Sequence, residues 1–161
     1  MKKLIIASSI LHFIIVNSYS QITPLFGRFV GSSPCGNAIR SLLKMPTDTA
    51  CDFMKWNLML YQDPTTQQPT KFKLSVSYGV YQNNTSNFAG GGSQFETEGK
   101  WAIGKGTKTN PEAIIYQLNP DQAEKSMSFV KMDDNVIHLL YNDGSLMIGN
   151  AGHSYTFNKA K

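Results

Sequence analysis

Groups that carry acid–base, redox or metal chemistry are scarce in this chain. It holds two cysteines and three histidines, and one of the histidines, His12, lies inside the apolar stretch at the N-terminus. Lysine and arginine number 15 against 11 acids, and they never form a run of five or more. A basic patch for nucleic acid or an anionic membrane therefore has no support. No apolar run reaches the roughly 20 residues that a membrane-spanning helix requires. No pair of carboxylates stands out for general acid–base work, because Asp133, Asp134 and Asp143 fall among turn formers, where Asp bonds locally. The stretch GKWAIGKG at 99–106 nearly matches a phosphate-binding loop. It fails where Gly106 replaces the required hydroxyl, and no helical pattern follows.

What is present at the N-terminus reads as an export signal. Met1-Lys2-Lys3 is basic, 4–16 is mostly apolar, and Ser18-Tyr19-Ser20 puts small residues at the two positions that set cleavage. Residues 1–20 are expected to be removed, leaving 21–161 as a single domain in the periplasm or outside the cell. Losing Lys2 and Lys3 takes the basic residues from 15 to 13 against 11 acids, so the mature net charge is +2 rather than +4. Gln21 stands where a lipoprotein would carry its acylated cysteine, so no lipid anchor is expected.

Beyond residue 52, apolar residues recur at every second position. Phe72, Leu74, Val76, Tyr78 and Val80 fall on one face, with Lys71, Lys73, Ser75 and Ser77 on the other, the mark of a half-buried strand. Trp56, Leu58 and Leu60 repeat it. Further strands are expected at 26–31, 94–103, 113–118, 126–132, 136–141, 145–149 and 153–158, punctuated by Asn-Pro, Asn-Asp-Gly and similar turns. About eight or nine short strands make an antiparallel barrel or sandwich. One short helix fits 37–44, and 82–93, with three consecutive glycines, reads as a hairpin loop or a lid.

The order of several short motifs resembles the N-terminal domain of NlpE-type proteins. They are Gly27, Pro34-Cys35-Gly36-Asn37-Ala38-Ile39, Gly99-Lys100-Trp101, Tyr116-Gln117-Leu118, Leu139-Leu140, Asp143-Gly144 and Ser154-Tyr155-Thr156-Phe157-Asn158. The resemblance spans most of 26–159. It implies a small up-and-down antiparallel β-barrel, lipocalin-like in architecture, and a sensing or binding role linked to copper resistance and envelope stress. Two features of that family are absent: the Cys-x-x-Cys after the proline and the lipid-bearing cysteine.

In an exported chain, Cys35 and Cys51 are expected to form a disulfide, the bridge stabilising by about 3 kcal/mol. A redox pair, a metal site and a cysteine nucleophile served by a histidine are the alternatives. His138 and His153 are the candidate metal ligands. A two-residue turn at Asp143-Gly144 sets His138 opposite Gly149, and a turn at Ala151 sets Gly149 opposite His153. Both rings then share a face on strands roughly 9.6 Å apart, two strand spacings, and reach a shared metal only by leaning inward. Packed or hydrogen-bonded rings are the alternative. The expected function is a non-enzymatic binding or sensing module without a resident cofactor, copper being the one metal the resemblance suggests. Its partner is a small ligand or an envelope protein. The second reading is a secreted carrier enclosing a small apolar ligand, and a hydrolase requires Cys35 or a hydroxyl to converge with a histidine.

Overall fold

The computed structural model describes residues 23–46 and 48–161; the expected signal at 1–20 lies outside them. Eight strands form a closed barrel in which each pairs with the next in the chain and the last returns to the first. They are β1 (Leu25–Pro34), β2 (Phe53–Gln62), β3 (Pro69–Gly79), β4 (Ser93–Lys105), β5 (Ile114–Leu118), β6 (Met127–Lys131), β7 (Val136–Leu139) and β8 (Thr156–Lys159). Every pairing is antiparallel. One helix, α1 (Asn37–Leu42), sits between β1 and β2.

The alternating pattern produces the barrel because it gives each strand one apolar face, and closure lets all those faces share one core. On β2 and β3 the register sets Trp56 against Val76, Leu58 against Leu74 and Leu60 against Phe72, all buried. Phe129 and Phe157 meet edge to face at 5.5 Å, and Phe157 meets Trp56 in the same way at 5.4 Å. Phe29 lies 6.3 Å from Tyr116. A bulge between Leu25 and Gly27 brings Phe26 against Trp101 at 5.0 Å. Rings from seven strands, β7 alone contributing none, thus fill the interior, each fully buried one stabilising by about 1.5–3 kcal/mol. The buried Ser33 hydroxyl accepts from Trp56 Nε1 at 2.8 Å, so this interior polar group is satisfied.

Two expectations are corrected. Residues 145–149 form no strand; the bridge of Leu140 opposite Leu146 and the Met147 amide, which donates to Leu139 O at 3.1 Å, hold them beside the sheet. The reason is that β7 already has a partner on that edge: β8 pairs with it directly, His138 opposite Thr156. The turn is also longer than two residues. Gly144 N donates to Tyr141 O, and Tyr141 N to Ser145 O, both at 2.9 Å, so Asn142, Asp143 and Gly144 form the loop, with Gly144 at φ 77°. A three-residue loop ending in a left-handed glycine shifts the register by one.

Candidate functional site

An up-and-down path puts α1 and the connections 80–92 and 119–126 at one end of the barrel, where the 140–155 connection also starts and finishes. The disulfide lies there. Cys35 and Cys51 are bonded, with Cα atoms 5.9 Å apart. Arg40 of α1 ties the same loop: Nε donates to Cys35 O at 3.2 Å, Nη1 to Thr49 O at 2.8 Å and Nη2 to Cys51 O at 3.4 Å. Tyr155 packs over the start of α1 and donates to Pro34 O at 3.4 Å; burial pushes its phenol above the ordinary value. Ile39, Leu43 and Met45 bury this segment against the core.

The structure does not bring His138 and His153 together in the expected way. His138 is held by Thr156 Oγ1 at Nδ1 and by Met147 O at Nε2, both at 2.9 Å. His153 lies flat on Phe53, 5.4 Å between ring centres, with Ser32 Oγ 3.1 Å from Nδ1 and the Tyr81 hydroxyl on Nε2. All four ring nitrogens are engaged. Among the described residues, no group of three or more His, Cys, Asp or Glu side chains is arranged to hold a metal. With both thiols in the disulfide as well, the donor set does not fit a copper site.

Ser32 and His153 do supply the hydroxyl and imidazole that a hydrolase needs. Their surroundings are those of a packing cluster. Phe53 stacks on Tyr81 at 4.2 Å and on Phe88 at 4.5 Å, and Lys55 Nζ lies 5.3 Å from the Phe88 ring centre. Among the described residues neither nitrogen of His153 meets a carboxylate to orient it, and Tyr81 blocks the far side of the ring.

The largest departure from a regular barrel is on β4. It pairs with β3 over Ser93–Lys100 but with β5 only over Trp101–Lys105. β5 stops because Asn119 takes a left-handed conformation, φ 47°, and Pro120 has no N–H to continue the ladder. Asn119 N closes the last rung on Lys100 O at 2.8 Å. Its side chain then folds over Gly99, where a Cβ would collide with Asn119 Oδ1 and come within 3.0 Å of Phe72. Between the unpaired part of β4 and the 119–126 connection lies a cleft of about 530 Å³. Phe72, Leu118 and Met127 form its floor; Glu96, Glu98, Lys44 and Lys125 stand on its rim. Periodicity located β4 but gave no sign that its neighbour ends halfway along it. The Asn119-Pro120 pair, read only as a turn, was the available signal.

No protein family, no curated protein and no solved structure matches this chain.

Proposed function

We propose that this chain is an exported, non-enzymatic binding or sensing module of the bacterial envelope, and that it takes its partner in the cleft beside β4. The observation that carries this is the cleft itself, about 530 Å³ of open space bounded by the buried side chains Phe72, Leu118 and Met127. Apolar floor with a few charged groups at the rim is the usual composition of a binding site. The disulfide favours an oxidising compartment, in line with export, and the NlpE-like order of motifs favours sensing. The copper-linked part of that resemblance lacks a matching donor set. The carrier reading is less favoured, because an enclosed ligand would have to displace Phe29, Phe129 and Phe157 from the centre.

The test places a photo-crosslinking amino acid at position 96 or 121 on the cleft rim, and at 134 as a control, in the cells that make the protein. A discrete adduct at 96 and 121 but not at 134 is expected. Equal labelling at all three, or none at 96 and 121, refutes the cleft as the binding surface. Intact mass of the mature protein tests export, with a chain beginning at Gln21 expected.

A further inference from the structure

The cleft has one wall of unusual kind: the edge of a strand. The carbonyl of Lys100 faces β5, since it receives the Asn119 amide. In an extended chain the backbone groups of alternate residues point the same way, so the N–H and C=O groups of Glu98 and Glu96 also face that side. There β5 has already ended, and the ladder to β5 goes no further than Trp101 opposite Leu118. Side chains alternate along the same stretch. Phe95, Thr97 and Gly99 are half-buried, while Glu96, Glu98 and Lys100 are exposed.

We propose that the open edge of β4 receives an extended peptide segment of a partner protein as an added strand, with apolar and basic residues alternating along it. This rests on the reading of the cleft as the binding surface and names its partner class. Backbone groups of Glu96 and Glu98 supply the ladder bonds, which any sequence satisfies. Selectivity comes from the two faces of the added strand. One face lies over Phe72, Leu118 and Met127 and takes apolar side chains. The other sits directly beside the carboxylates of Glu96 and Glu98 and takes lysine or arginine.

Charge also disfavours a second copy of this chain as the occupant. Two-fold pairing of β4 with itself, centred on residue 96 or 98, sets a glutamate against its own copy; centred on Thr97, it sets Glu96 against Glu98 twice. Like charges directly opposite destabilise these three registers. A basic strand meets opposite charge at the same positions.

The probe is a short capped peptide alternating valine and lysine, and the readout is residue-level amide hydrogen exchange of the full disulfide-bonded protein. In the free protein the Glu96 and Glu98 amides should exchange fast while those of Phe95 and Thr97, bonded to β3, are protected. Adding the peptide at millimolar concentration should slow Glu96 and Glu98. A version methylated at its backbone nitrogens should not, and E96K/E98K should weaken the effect by about tenfold. Peptide-induced changes confined to the floor residues, with Glu96 and Glu98 still fast, overturn strand addition while leaving the cleft as a binding surface. No protection alongside a rim-specific crosslink has the same meaning. Protection that rises with protein concentration alone makes a second copy the occupant. Loss of the crosslink refutes the cleft reading itself.

Discussion

Removing the disulfide should cost this fold a large share of its stability. Cys35 and Cys51 are separated by 16 positions. On the chain-entropy relation, a loop of that length confers about 3 kcal/mol at 25 °C, against a total of about 5–15 kcal/mol for a typical domain. The perturbation is C35S/C51S, and the assay is urea unfolding with a parallel thermal scan. The midpoint should fall, the slope should rise slightly because an uncrosslinked unfolded chain exposes more surface, and Tm should drop by about 10 °C. Arg40 refines the test. Its guanidinium donates to carbonyls at both ends of the same loop, so it holds the native geometry that the disulfide only permits. If the disulfide acts on the unfolded chain alone, R40M should cost the same, about 1–3 kcal/mol, with and without it. A loss under about 1 kcal/mol for C35S/C51S would refute the reasoning, since the loop would then be ordered by Arg40 and the core without need of the bond.

Three further outcomes are expected. G99A should destabilise by about 1–3 kcal/mol through collision with Asn119, and N119G should restore most of it, because glycine removes the side chain and suits φ 47°; urea midpoints of the single and double variants check this. F157A should cost about 3–5 kcal/mol, since its ring meets both Trp56 and Phe129; a value near that of a surface substitution would mean the interior is not packed on it. Asp143 is held well below the usual carboxylate range by Lys108, then by the Ser145 hydroxyl and amide; Asp63 is lowered by the amides and hydroxyl of its own turn. Their folded values are depressed, so the stability they confer is complete above the unfolded value near about 4 and is lost as pH falls through the folded one. Urea midpoints should therefore hold from pH 7 to about 5 and decline below about 4, less steeply in D143N.

Much of the barrel was legible because a two-residue period survives in any single stretch of chain. Phe72, Leu74 and Val76 announce a face without reference to anything distant, and the helix at Asn37–Leu42 lies within the expected 37–44. What failed depended on which strand lies beside which. The segment 145–149 has strand composition, yet β8 takes the edge of β7 it would need. The two histidines were aligned by a turn one residue too short, and a slip of one reverses every side chain. Their real partners, Thr156 and Met147 for one ring and Ser32 and Tyr81 for the other, come from strands and loops that no local pattern connects. The cleft was hidden for a related reason: it is made by the end of β5, and an ending shows only in the Asn119-Pro120 punctuation, which every turn shares.

The two tryptophans divide the molecule between them. Trp56 is anchored to Ser33 near the disulfide end, whereas Trp101 follows Lys100 at the point where β4 regains its second neighbour and donates to Tyr61 O at 2.6 Å. Both are buried, at 2% and 3% exposure, so both should emit in the blue part of the indole range. With Trp56 replaced by phenylalanine, the remaining indole becomes a built-in lamp inside the barrel, packed on Phe26 and Tyr116 beside the fully paired half of β4. Its colour and its accessibility to a soluble quencher then give an optical record, on any timescale a fluorimeter reaches, of how tightly the paired half of the barrel stays packed.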